Sequence, residues 1–403
     1  MGYTTLIILA GTGLLGACSG MVGSFAVLRR RALMGDALAH AALPGVCLAF
    51  LVVGDRHLPS MLAGALVTGV LGVMIVTGLR HGTRIKEDAA IGIVLSVFYG
   101  AGIVLSRYAQ SQPGRGSAAG LDSYILGQTA SMVRGDVYII AAAALFSLLV
   151  IVVLYKEFQV VSFDPGFAHA QGWPAFLLDL LLMVLVAVTV VIGLPAVGVV
   201  LMAALLIIPA AAARFWTDRL GVMLAIAAGF GAIAAAVGTL ASSRYDWAAG
   251  PSIVLAGAGV FVLSMLFGPR RGIARQLWAN RQYRSQVAID SALRRFYESS
   301  PVDSSFRTSD RKTLRILERN GWIERTTADE FQLTSAGETM AAELVLARRM
   351  FDLYLSEYAG HVTEATNAGP AGLLDQIPPE LRPELERLAA TRRLCEEERG
   401  VES

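Results

Sequence analysis

Asp36 and His40 lie four residues apart inside an apolar stretch, Met34-Gly35-Asp36-Ala37-Leu38-Ala39-His40-Ala41-Ala42-Leu43-Pro44-Gly45. On a helix that spacing stacks a carboxylate and an imidazole on one face. Ionisable groups within an apolar span are costly, and where they occur they usually mark a path for ions or protons. Pro44 cannot donate to the carbonyl four residues back, which is that of His40, so a backbone oxygen is left free beside the two side chains. Carboxylate, imidazole and carbonyl together suit a hard or borderline divalent cation. Cys47, seven residues past His40, falls on the same face and offers a softer third donor; read plainly, it is a small buried hydrophobe. The plain reading of the pair is a capping Asp36 and a packing His40. Two ligands are too few for a tight site, and a two-fold partner presenting the same pair gives four. Ala37, Ala39, Ala41 and Ala42 are small enough for another helix to come close.

The elements that must hold this pair lie in a membrane. The chain has 403 residues, 55% of them hydrophobic, and its charge is uneven: residues 1–269 carry 25 of the Asp, Glu, Lys and Arg side chains and residues 270–403 carry 41. The mean hydropathy is +0.56. A spanning helix needs about 20 mostly apolar residues. Nine candidate spans follow: Thr4–Leu28, Gly35–Val53, Leu58–Leu79, Ala89–Leu105, Val137–Leu154, Phe176–Leu194, Ala196–Ala213, Gly221–Ser242 and Ser252–Phe267. The first has no small-residue cleavage site before a soluble domain and reads as a retained helix. Arg29–Arg31, the Arg80–Lys86 loop, Lys156, Arg214 with Arg219, and Arg270 with Arg271 fall after alternate spans. The positive-inside rule puts them, and the C-terminus, in the cytoplasm.

Two function classes are narrowed at once. The three lysines, Lys86, Lys156 and Lys312, lie in no Gly-x4-Gly-Lys-Ser/Thr context, so the chain has no phosphate-binding P-loop of its own. The three cysteines, Cys18, Cys47 and Cys395, are scattered and form neither a disulfide framework nor a paired metal motif.

Beyond Pro269 the pattern turns polar. Residues 273–298 have helical spacing and read as a helix leaving the membrane. Ser309 caps a helix Asp310–Asn320 that Gly321 stops. Trp322–Arg325 and Glu330–Thr334 alternate like two short strands, and Ala336–Tyr358 is a long helix with one apolar face. Residues 381–399 read as a terminal amphipathic helix. The predicted fold is an all-α polytopic membrane protein of about eight or nine transmembrane helices with a small cytoplasmic α+β winged-helix-like domain. Its parts are a transmembrane domain at 1–268, a connecting helix at 269–287 and the cytoplasmic domain at 288–403.

The Gly35–Gly45 motif resembles the signature of permease subunits of ATP-binding-cassette importers for manganese, zinc and iron. Separated motifs agree in order: Leu121-Asp122-Ser123-Tyr124, Val161-Ser162-Phe163-Asp164-Pro165 with Ala168 and Gly172, Leu177-Leu178-Asp179, Ala196-Val197-Gly198-Val199, and Ile208-Pro209-Ala210-Ala211. The resemblance covers about residues 5–268. It implies a transport subunit of the bacterial cytoplasmic membrane, not an enzyme, with no covalently bound cofactor. The divalent metal ion is the transported substrate, with manganese favoured and zinc or iron compatible. It further implies an ATPase dimer at the cytoplasmic face, a second permease chain, identical or paralogous, and a periplasmic or lipoprotein metal-binding protein. The family's metal-contacting Asp and His carry over to Asp36 and His40. Asp164, Pro165, Ala168 and Gly172 fall in the coupling helix that docks on the ATPase, and Asp179 reads as an interfacial structural residue.

The tail is similar to iron-dependent repressors of the diphtheria-toxin repressor kind over about residues 288–390. That resemblance leaves Asp352, His361 and Glu364 as candidate regulatory metal ligands, since the stretch where a helix histidine is expected reads Ala347-Arg348-Arg349-Met350. Arg311, Lys312, Arg315 and Arg319 make a basic helix, as phosphate contact requires. No full helix-turn-helix precedes it, so protein contact is favoured over nucleic acid. Two other readings stand beside the importer permease. One is a membrane-tethered metal-responsive transcription regulator. The other is a secondary proton-coupled transporter, which usually shows an inverted repeat that this sequence lacks.

Overall fold

A computed structural model describes residues 3–54, 57–111, 127, 129, 132–298, 311–325, 331–357, 374 and 377–389. The chain divides into two compact units, Met1–Arg275 and Gln276–Ser403.

The first unit is helical throughout its described residues. Its elements are α1 (Tyr3–Leu28), α2 (Met34–Val53), α3 (Leu58–Gly82), α4 (Glu87–Ser111), α5 (Arg134–Val153), the short α6 (Tyr155–Phe163) and α7 (Pro165–Ala170), α8 (Ala175–Val197), α9 (Val199–Arg214), α10 (Leu220–Tyr245) and α11 (Ala249–Phe267). Eight of these are long and apolar enough to cross a membrane: α1 to α5, α8, α10 and α11, leaving out the short α6 and α7. The segment expected as a seventh span becomes α9, a 16-residue apolar helix. It is shorter because α8 runs through Pro195 to Val197, and the chain breaks only at Gly198, whose φ is +83°.

Lipid is as apolar as leucine, so close packing and buried polar contacts hold such helices together. α1 packs on α10, α9, α5 and α8, while α2 packs on α3, α4, α8 and α9. Phe25, Phe50, Phe158, Leu182 and Met202 fill the interior. Phe25 meets Phe158 edge to face, with centroids 5.7 Å apart. The Thr12 and Thr239 hydroxyls, 3.1 Å apart, join α1 to α10. Backbones also come close where α2 crosses α3. A Cβ on Gly45 would strike the Gly64 carbonyl oxygen and the Thr68 hydroxyl, so the site motif ends on a residue that only glycine can fill. By contrast, α5 leaves Leu145, Leu149, Val152 and Val153 exposed, as a lipid-facing helix does.

The second unit contains most of α12 (Ile273–Glu298), then α13 (Arg311–Arg319), β1 (Ile323–Arg325), β2 (Phe331–Leu333), α14 (Ser335–Glu357) and a helix at 382–389. The two strands are antiparallel, with Ile323 opposite Leu333. Leu293, Phe296, Leu317, Ile323 and Ala341 form one core, and Met350, Leu353, Ile377 and Leu385 a second. Thr334 ties the hairpin down: its hydroxyl donates to the Gly321 carbonyl at 2.6 Å, and its N–H donates to that of Trp322. Helix, short hairpin and long helix follow the order expected from the sequence.

Candidate metal site and the elements around it

α2 starts immediately after a tight turn, with Leu33 at the N-cap and no side chain capping the helix. Asp36 sits in the first turn without a capping bond, so the plain reading of a capping carboxylate does not describe it. Its Oδ1 lies 3.6 Å from His40 Nε2. The flanking Ala37, Leu38, Ala39, Ala41 and Ala42 are buried, yet the His40 and Asp36 side chains remain 23% and 38% exposed. The pair therefore occupies the side of α2 that this chain's own helices leave open. Tyr99 of α4 stands beside it, its ring edge-on to the imidazole at a centroid distance of 4.8 Å.

Cys47 does not join them. Seven residues of helix fall only about 20° short of two full turns, so it does lie on nearly the same face. At its level, however, α4 covers α2. Cys47 is fully buried and its Sγ contacts the Gly102 carbonyl at 3.7 Å. It is a packed hydrophobe with a weak donor, not a reachable third ligand. Among the described residues no group of three or more His, Cys, Asp or Glu side chains could hold a metal ion. One chain thus offers two donors.

The segment between α5 and α8 folds as the Asp-Pro pair directs. Asp164 is the N-cap of α7, its Oδ1 accepting the Phe167 N–H at 2.9 Å, and Pro165 fills the first helical position, where no N–H is needed. Ala168 is buried against the bundle, while Phe163 and Phe167 are 58% and 51% exposed. Gly172, at φ +78°, makes the left-handed turn that other residues resist, and Trp173 N–H donates to the Ala168 carbonyl at 3.0 Å. The chain then enters α8 at Ala175.

Four residues into α8, Asp179 is buried in a cluster of five charges. It pairs with Arg29, accepts from Arg31 Nη1 at 2.6 Å, and lies 3.8 Å from Arg80 Nη1. Glu87, at the start of α4, pairs with Arg31 and lies 3.6 Å from Arg80 Nε. Desolvation pulls the Arg29 guanidinium below its ordinary pKa, against the carboxylate of Asp179, which holds it up. The loop carrying Arg29 and Arg31 is tightly formed. Arg31 N–H bonds to the Ala26 carbonyl and Arg30 N–H to that of Val27, with Arg30 left-handed at φ +60°. This is a Schellman ending of α1 with arginine in the place glycine usually takes. The sequence marked these arginines as surface charges. The only hint of burial was an aspartate one turn into a span.

In the tail, Asp352 lies on α14, where its Oδ1 is 3.7 Å from Arg348 Nε, one turn earlier. His361 and Glu364 lie outside the described residues.

Residues 3–268 match the model of the ABC 3 transport family. The manganese transport system membrane protein MntC of Bacillus subtilis (strain 168) is 42% identical over 362 residues, 86% of this chain and 83% of that protein. The zinc transport system membrane protein TroC of Treponema pallidum (strain Nichols) is 42% identical over 281 residues, 70% of this chain and 94% of that protein. Among solved structures, PsaBC from Streptococcus pneumoniae in complex with Fab shares 34% identity at a TM-score of 0.60, covering 67% of this chain and 94% of that chain.

Proposed function

This chain belongs to the ABC 3 transport family as a membrane permease of a metal importer, and from that premise we propose that manganese is its cargo and that Asp36 and His40 are the residues that hold it. The proposal rests on the half-exposed carboxylate–imidazole pair on the uncovered side of a membrane-spanning helix. Two such pairs, one from each of two permease chains, give four oxygen and nitrogen donors, a set that suits a hard or borderline cation. The two relatives named for manganese and zinc transport support the same cargo class.

The arginine-rich ends of the spans face the cytoplasm, and the C-terminal unit lies on that side. A separate ATPase docks there on α7, where the exposed Phe167, with Phe163 at the end of α6, presents apolar contact. Its closure and opening reorient the two permeases, so that the Asp36/His40 pairs meet first the outer and then the inner solution. An external metal-binding protein delivers the ion. The tail acts as a winged-helix-like regulatory contact with the ATPases or the second permease.

Uptake of manganese into vesicles holding the permease with its ATPase, with zinc as competitor, tests this reading. Asp36→Ala and His40→Ala should each abolish uptake while the complex still assembles. Near-normal uptake by both variants would refute the site, and preferential zinc uptake would refute the cargo.

A further inference from the structure

We infer that Asp179 is a positioning residue for transport: through Arg29 and Arg31 it ties the coupling segment to the start of α2, so that the Asp36/His40 pair moves with α7. This inference rests on the proposed site and on the reading of α7 as the ATPase contact.

The connection is short at each step. Ala168 of α7 is bonded to Trp173, and two residues later α8 begins. Asp179 stands four residues into α8, about 6 Å along its axis at the usual helical rise. Its carboxylate grips Arg29 and Arg31 on the α1–α2 turn. Arg31 N–H is fixed to the end of α1, and its carbonyl accepts from Met34 N–H, so the arginine is continuous with the first turn of α2. Asp36 is two residues further on. A displacement of α7 thus reaches the candidate ligand through one helix turn, one ion pair and one tight turn.

The charges argue for more than adhesion. Taking charged groups out of water is costly, and apolar packing of the same volume often holds helices as well or better. Here three guanidiniums share two carboxylates, and Asp179 contacts all three. Its Asp179→Asn variant keeps the shape but leaves Arg29, Arg31 and Arg80 with Glu87 alone. Guanidinium forks hold a carboxylate in a defined direction, which a transmitted movement needs. The left-handed Arg30 between Arg29 and Arg31 adds a backbone held out of its preferred region, as occurs at switching sites.

The test uses the full permease with its ATPase in vesicles, measuring manganese uptake and ATP hydrolysis on the same preparation and Mn(II) binding by electron paramagnetic resonance. Asp179→Asn should lower uptake per ATP hydrolysed by about tenfold, a typical coupling between sites, with hydrolysis and Mn(II) binding retained. Asp179→Glu, which keeps a carboxylate for the three guanidiniums, should retain part of the ratio. An unchanged ratio, or equal loss of uptake and hydrolysis in an assembled complex, would overturn the inference. Should Asp179→Asn fail to assemble, Arg31→Lys serves instead. It keeps the charge but removes the guanidinium fork that joins Asp179 to the α1–α2 turn, and an unchanged ratio there would be equally fatal. Loss of Mn(II) binding in Asp36→Ala separates the two readings: if binding survives, the site is wrong; if it is lost while Asp179→Asn couples normally, only this inference fails.

Discussion

His40 meets Tyr99 edge to face, with ring planes 79° apart. The imidazole is thereby held between a carboxylate on its own helix and an aromatic ring from α4. A flexible ligand on a half-open face loses rotamer freedom when it grips an ion, and a ring already in contact removes part of that cost.

Tyr99→Ala should therefore weaken metal capture without removing a ligand. An aromatic pair contributes about 1 kcal/mol, so the apparent KM for manganese uptake should rise about fivefold. Tyr99→Phe should stay near wild type, because the ring and not the hydroxyl makes the contact. Equal loss in both variants would assign the effect to the phenolic oxygen.

Arg30→Gly should stabilise the protein. The left-handed backbone at Arg30 costs about 1 kcal/mol for a residue with a side chain, and its own side chain is exposed. Thermal unfolding of the detergent-purified chain should shift upward. A lowered midpoint would mean that the Arg30 side chain holds the turn by contacts of its own.

At α7 the cap can be removed cleanly. Asp164→Ala should cost about 1 kcal/mol of local helix stability, while Asp164→Asn should retain most of it. Amide exchange at Phe167 should accelerate in the alanine variant, and ATPase association should weaken in parallel. Unchanged exchange would show that the turn is held by packing of Ala168 alone.

In the tail, burial pushes the Asp290 carboxyl up to about 6. The folded state binds this proton more tightly than the unfolded chain does, so stability falls as pH rises from about 4 to 6 and stays lower above. Asp290→Asn should remove that dependence and protect the α12 amides at pH 7. Protection factors, corrected for intrinsic exchange, measure both effects; an unaltered profile would mean that Asp290 is solvated.

Much of the site was legible because local periodicity governs it. Asp36 and His40 needed only the helical repeat and an apolar context, and Asp164-Pro165 needed only capping chemistry. The order of helix, hairpin and helix in the tail followed from alternation and from Gly321. What stayed hidden depends on neighbours distant in sequence. Arg29 and Arg31 look like ordinary interfacial charges until Asp179, about 150 residues away, is brought against them. Cys47 shares the ligand face by periodicity, and only the crossing of α4 closes it off. The length of α9 was misjudged because Pro195 reads as a break, although α8 passes through it and stops at Gly198.

The enclosure of Cys47 also bears on poisoning. Copper(I) and other thiophilic ions bind thiolates so firmly that release, not entry, becomes the slow step. With its sulfur shut behind α4, α2 offers a passing ion no such trap. On the proposed path along α2, an ion would thus meet no thiolate able to hold it beyond the release step of each cycle.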